Sequence, residues 1–231
     1  MTSKIKIALD CMGGDDAPTM VVRGADLAIE RQPDIFFHLV GNEEEITPLI
    51  KASRHLDNDN HKIIHTQKKV AADDKPSVAL RGGRDTSMRL AIDLVSDGSA
   101  HGVVSAGNTG ALMAMSKLSL RMCPGIERPA IASFFPTLKG ESCMLDLGAN
   151  IECDAKNLVQ FAVMGEIFAR IVLGLKNPSV GLLNVGSEEQ KGHEELREAA
   201  TTLRELRNVM KFIGFIEGDD ITAGTVDVVV T

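Results

Sequence analysis

Short apolar runs separated by amphipathic stretches constrain this chain more than any other feature. The runs are IKIALD (5–10), IFFHLVG (35–41), HKIIHT (61–66), GVVSAG (102–107), AIASFF (130–135), CMLDLG (143–148), SVGLLNVG (179–186), FIGFI (212–216) and DVVVT (227–231). Most are continuous rather than alternating in polarity, as strands covered on both faces should be. Between them, 17–31, 77–97, 109–121, 156–173 and 193–208 carry helical spacing. In the last, Leu196, Ala200, Leu203 and Leu206 fall near one face and the charges on the other. This order predicts an α/β protein of three layers, α/β/α, with a mainly parallel sheet between helices. No internal repeat, low-complexity stretch or linker interrupts it. The polar segment Asp57–Asn60 reads as a loop rather than a boundary, so residues 1–231 are expected to form a single α/β domain.

The charge balance, 25 basic against 32 acidic residues for a net charge of -7, argues against a general nucleic-acid surface and confines any anionic ligand to a local site. Trp and Tyr are absent, which leaves little for stacking on bases. Cys11, Cys123, Cys143 and Cys153 form no CxxC pair and no zinc spacing. The start of the chain shows no basic-then-apolar leader, and no run approaches the ~20 apolar residues that span a bilayer. A reducing cytoplasm is the expected location, with any membrane contact peripheral. Thr231 follows a buried-type strand directly, and the chain reads as cut short at a sheet edge where functional loops gather.

Four strand ends are built alike, namely Asp10–Asp15 (DCMGGD), Ser105–Gly110 (SAGNTG), Asp146–Asn150 (DLGAN) and Asn184–Glu188 (NVGSE). Each joins glycine to Asn, Asp, Ser or Thr where a strand ends. In one parallel sheet all four would gather at one edge and offer N–H and hydroxyl donors to an anion. Taken singly, each is also an ordinary turn or helix cap. SAGNTG is the best single candidate, because Asn108 or Thr109 can cap the following helix and aim its positive end at a phosphate. No GxxxxGK[ST] or GxGxxG occurs, so neither a nucleoside-triphosphate loop nor a standard dinucleotide fold is supported.

Lys191 can place an ammonium over the same edge, or be a solvated lysine before a helix. Arg81, Arg84 and Arg89 lie in a helical stretch, with Arg81 and Arg84 one turn apart, and form either a basic docking face or an ordinary exposed one. The six histidines show no ligand spacing, and no GxSxG elbow occurs. Asp10, Asp15 and Asp146 are open to two readings, as metal ligands or as caps and loop ties.

ALDCMGGDDAP, VSAGNTGALM, GIERPA, LDLGAN, LVQFAVMGEIFA, VGLLNVGSEEQKG and DVVVT, in this order and spacing, closely resemble the bacterial PlsX phosphate acyltransferase family along essentially the whole chain. The resemblance implies transfer of a fatty acyl group from acyl carrier protein to inorganic phosphate, giving acyl phosphate for phospholipid synthesis. It implies a homodimer with an α/β/α fold like that of isocitrate and isopropylmalate dehydrogenases and phosphotransacetylases, in the cytoplasm and peripherally on the membrane. Members of the family continue past the terminal strand, so this chain is expected to lack their C-terminal part.

Phosphate is a competent oxygen nucleophile at neutral pH, so this chemistry needs positioning and charge stabilisation rather than a serine or a strong base, and no cofactor or metal is expected. Asn108 and Asn184 are the expected catalytic donors, with Lys191 balancing charge. The phosphate and substrate set is Asp10, Gly13, Gly14, Ser105, Gly107, Thr109, Gly110, Asp146, Asn150 and Gly186; within it Asp10 and Asp146, like Asp15, are expected to fix loops. Acyl carrier protein is acidic and should meet a local basic patch, for which Arg81, Arg84 and Arg89 are the candidates. The rival readings are a short-chain phosphotransacetylase using coenzyme A and a non-catalytic module that binds a phospholigand.

Overall fold

A computed structural model describes residues 4–57 and 59–231, which leaves Asn58 of the 57–60 loop outside the described residues. The chain divides into two compact units, 1–122 and 123–231. The one sheet expected from the sequence is two, a 4-stranded sheet in the first unit and a 5-stranded sheet in the second.

The first unit runs β1 (Ile5–Asp10), α1 (Thr19–Arg31), β2 (Ile35–Gly41), α2 (Glu43–Ala52), β3 (His61–His65), α3 (Pro76–Gly82), α4 (Ser87–Ser96), β4 (Gly102–Val104) and α5 (Thr109–Leu120). Its strands lie parallel in the order β3-β2-β1-β4. Because strand side chains alternate, neighbouring residues feed opposite layers. Leu9, Phe37 and Leu39 pack with Val22, Ala25 and Ile29 of α1 and Ile46 of α2. Ala8 and Val40 pack with Ala91 of α4 on the other face. The continuous apolar character of these runs thus reflects helices on both sides.

Two helices depart from the sequence expectation here. The helix α2 was not expected; Asn42 starts it by accepting from the Glu44 N–H, and it carries Pro48 inside. The stretch expected as one helix over 77–97 is α3 and α4, broken at Gly83. A side chain at Gly83 would overlap the Ala79 carbonyl and the Met115 side chain, so only glycine lets the chain turn there. Thr86 then restarts the chain by capping α4 at the Arg89 N–H. Arg81 and Arg84 are therefore not one turn apart on a common helix: Arg81 is in the last turn of α3 and Arg84 in the connection.

The second unit runs β5 (Ala132–Thr137), β6 (Gly140–Leu145), α6 (Ala155–Val172), β7 (Ser179–Leu183), α7 (Glu194–Glu205), β8 (Lys211–Ile216), α8 (Gly218–Ala223) and β9 (Val228–Val230). The strand order is β5-β6-β9-β7-β8, with β5 antiparallel to β6 and the remaining pairs parallel. Cys143, Leu145, Val180, Leu182, Val228 and Val230 form the face that packs on α6 and α7. Val229, one residue out of phase, packs with Ile216, Val226 and Ile221 on the opposite side. The helix α6 opens on a capping box, with Asp154 accepting from the Asn157 N–H and the Asn157 side chain accepting from the Asp154 N–H.

Candidate functional site

In the first unit, β1 and β4 are paired with Leu9 opposite Val104, so their loops leave at the same sheet edge. Asp10, only 1% exposed, ties the two loops together. Ser105 Oγ donates to Asp10 Oδ2 at 2.7 Å, the Gly107 N–H donates to Ser105 Oγ at 3.1 Å, and the Met12 N–H donates to Asp10 Oδ1 at 3.2 Å. Gly13 lies against this group: a methyl there would stand 2.5 Å from Asp10 Oδ2, 2.8 Å from Ser105 Oγ and 3.0 Å from the Gly107 nitrogen. Gly14 takes φ +103°, in the region that favours glycine. The buried Cys11 thiol is pushed up to about 12 by burial and by the Asp10 charge, which leaves it inert. Asp10 thus holds loops, as expected of it, whereas Asp15 is exposed and takes no part in this network.

Asn108 caps α5, its Oδ1 accepting from the Ala111 N–H at 2.9 Å. Its Nδ2 lies 2.9 Å from the Ala72 and Asp74 carbonyl oxygens and 3.4 Å from that of Ala71. Both halves of the amide are engaged, so the side chain expected to be a catalytic donor has no proton left to give. What remains for a ligand is the exposed first turn of α5, where the Thr109 and Gly110 N–H groups carry the positive end of the helix. A cavity of about 440 Å³ opens there, lined by Gly14, Val70, Ala72, Gly107, Thr109 and Gly110 among others. Small side chains on its walls let backbone amides approach a ligand closely.

In the second unit, Asp146 and Asn184 lie just beyond the carboxyl ends of β6 and β7. Asp146 accepts from the Ile131 N–H at 2.7 Å, from the Ala149 N–H at 3.3 Å, and from both the Asn150 N–H and Nδ2 at 2.8 Å. Asn150 Nδ2 also donates to the Pro129 carbonyl at 2.9 Å. These two residues brace their loop. Asn184 spends Oδ1 on the Val185 N–H and one Nδ2 proton on the Lys191 carbonyl at 3.1 Å, so it retains one donor. A side chain at Gly192, which has φ +84°, would overlap the Asn184 amide. A methyl at Gly186 would meet Lys191 Cγ at 3.2 Å, so the lysine stem crosses the Asn184–Gly186 turn, with the residue exposed and its ammonium in no ion pair among the described residues.

The four loops expected at one edge are thus two pairs on two sheets. A second cavity of about 750 Å³, lined by Arg128, Cys153, Leu158, His193 and Leu196 among others, lies within the second unit. Sequence reading placed neither Arg128 nor His193 in a site; the only signal was the position of Arg128 within GIERPA and of His193 immediately before a helix. Arg89, proposed for docking, is held by Asp93, with Nε–Oδ1 at 2.8 Å, whereas Arg81 and Arg84 are exposed. Among the described residues, no group of three or more His, Cys, Asp or Glu is arranged to hold a metal ion, and no helix is long and apolar enough to cross a membrane.

Residues 5–231 match the family model described as "Fatty acid synthesis protein". The chain belongs to that family. It is 63% identical over 231 residues to a phosphate acyltransferase from Rhodospirillum centenum, covering 100% of this chain and 65% of that protein. Among solved structures, the EutD phosphotransacetylase from Staphylococcus aureus aligns with a TM-score of 0.65 at 17% identity, over 98% of this chain and 77% of that one. A 4-hydroxythreonine-4-phosphate dehydrogenase from Burkholderia phymatum aligns with a TM-score of 0.50 at 14% identity, over 98% of this chain and 79% of that one. At such identities the likeness shows the fold alone, and it is the three-layer α/β fold shared by phosphotransacylases and a dehydrogenase that the sequence led us to expect.

Proposed function

We propose that this chain contributes to transfer of a fatty acyl group from acyl carrier protein to inorganic phosphate, the acyl phosphate serving phospholipid synthesis. The 63% identity to a phosphate acyltransferase along the whole chain carries this reading. The geometry supplies parts that such a reaction needs. In the first unit, the Thr109 and Gly110 amides at the head of α5 hold the phosphate dianion. In the second unit, the remaining Asn184 donor and the Lys191 ammonium offer a hydrogen bond and positive charge to the reaction. Asp10, Ser105, Gly13, Gly14 and Gly107 shape the phosphate cavity; Asp146, Asn150 and Gly186 shape the second loop pair. Both units serve one reaction as a single functional domain.

Exposed Arg81 and Arg84, with Lys69 and Lys75 nearby in the chain, form the docking patch for the acidic carrier protein; Arg89, neutralised by Asp93, contributes little. Homodimer formation, a cytoplasmic location and peripheral membrane contact belong to the same reading and follow from the family resemblance.

The test is incubation of the chain with palmitoyl-acyl carrier protein and phosphate, with acyl phosphate trapped by hydroxylamine. Product formation supports the proposal. Turnover of acetyl-coenzyme A alone selects the phosphotransacetylase reading, and phosphate binding without turnover of either donor selects a binding module.

A further inference from the structure

We propose that Asn108 is a positioning residue whose side-chain NH₂ clamps the 70–76 segment over the first turn of α5, and that opening this clamp weakens phosphate binding there without unwinding the helix. The inference rests on the phosphate reading of the α5 cavity.

An N-cap needs only an acceptor oxygen, and Ser, Thr or Asp supplies one as well as Asn does. The Ala111 N–H accounts for that half of the Asn108 amide. The other half has a different job: carbonyl oxygens of Ala71, Ala72 and Asp74 converge on Nδ2 from a segment more than thirty residues away. That segment is braced within itself, with the Ala71 N–H donating to Asp74 Oδ2 at 2.8 Å and the Asp74 N–H to the Ala71 carbonyl at 3.2 Å. It has little packing to hold it, since Ala71, Ala72, Asp73 and Lys75 are exposed and only Val70 is buried. Its other attachment is Pro76, whose Cγ would stand 2.9 Å from a methyl placed on Gly110.

Val70 and Ala72 line the same cavity as Thr109 and Gly110. The clamp therefore sets the distance between the cavity wall and the α5 amides. It also satisfies carbonyl dipoles that, left bare beside an anion, would oppose its binding.

Asn108→Ser separates the two halves, because it keeps a cap oxygen and deletes the NH₂. The full 231-residue chain is compared with this variant by hydrogen exchange, read by mass spectrometry, with and without inorganic phosphate. We expect helical circular dichroism to be retained, exchange of the 71–75 amides to rise, and phosphate affinity to fall about tenfold, as loss of one or two net hydrogen bonds implies. Asp74→Ala loosens the segment from its own side without touching α5 and should shift exchange and affinity in the same direction. In turnover assays the loss should appear as a raised KM for phosphate with kcat largely kept.

Parental exchange at 71–75 in Asn108→Ser, or parental phosphate affinity in both variants, overturns the clamp. Absence of phosphate-dependent protection at 106–111 in the unaltered chain overturns the phosphate site on which the inference rests. The exchange comparison at 71–75 without phosphate separates that failure from failure of the clamp itself.

Discussion

Replacing Gly13 with alanine tests whether the β1 and β4 loops form one tightly packed unit. The glycine is not in the positive-φ region, so alanine brings no backbone strain and the effect is steric. The new methyl would lie 2.5 Å from Asp10 Oδ2, 2.8 Å from Ser105 Oγ and 3.0 Å from the Gly107 nitrogen, all well inside ordinary contact. None of the three yields easily: Asp10 is 1% exposed and held by Met12 and Ser105, and the Gly107 nitrogen is backbone. Relief requires parting Ser105 from Asp10, a bond to a charged group worth about 1.5–3 kcal/mol. Residual overpacking adds about 1–3 kcal/mol. The expected cost is therefore about 2.5–6 kcal/mol, a large share of the ~5–15 kcal/mol that stabilises a typical domain.

The chain has two units and neither Trp nor Tyr, so native-state hydrogen exchange of the β1 and β4 amides is the suitable assay. Ser105→Ala removes one clashing atom and leaves Asp10 Oδ2 short of a donor, at about 1–3 kcal/mol. Since both changes act on the same bond, the double variant should cost about 1 kcal/mol less than the two single costs together. A Gly13→Ala cost below about 0.5 kcal/mol, the range of neutral surface changes, would refute the packing argument. Strict additivity would refute the shared bond.

Asp146→Ala should destabilise the second unit by about 3 kcal/mol, because it strips the buried acceptor from partly buried donors on Ile131, Ala149 and Asn150; exchange at 146–150 that stays at the parental rate would contradict this. Burial pushes the His38 imidazole below its usual range, Lys6 and Lys62 adding to the effect against opposing contributions from the Ser99 carbonyl and Asp97. The unfolded chain then binds the extra proton first, so this contribution is complete above the unfolded value of ~6.5 and is lost as pH falls from there toward the lowered folded value. A first unit equally stable at pH 7.5 and 5.5, or a His38→Gln variant with unchanged pH dependence, would count against it. Lys191→Ala should abolish most acyl-phosphate formation while shifting stability by no more than about 0.5 kcal/mol, since the side chain is exposed; retained turnover removes its assigned role. Charge reversal at Arg81 and Arg84 together should weaken carrier-protein binding more at low salt than at high salt, and a salt-independent outcome would exclude an electrostatic patch.

Local chemistry was readable directly from the chain. Continuous apolar runs gave the strand positions, but the burial expected of them fails at β5, exposed along almost its whole length, and at β3, which has no buried residue. Asn108 in SAGNTG was recognisable as a candidate cap for the helix that follows it. The break between α3 and α4 was harder to read. Gly82 and Gly83 mark a possible interruption, but the apolar spacing continues across it, and the deciding contacts with Ala79 and Met115 are spatial. The helix α2 was missed because Pro48 weakens its local signal, whereas burial of Ile46 in the core favours it.

The sequence by itself determined the α/β class, the loops at strand ends and the family, because these depend on residue type, short-range spacing and co-ordered motifs. Only the tertiary structure decided that the strands form two sheets, that β5 folds back antiparallel on β6, and that Asn108 spends its NH₂ on the 70–76 segment. The physical reason is that apolar periodicity records how much of a side chain is buried, while strand pairing and the direction of a hydrogen bond depend on which distant backbone groups the fold brings alongside.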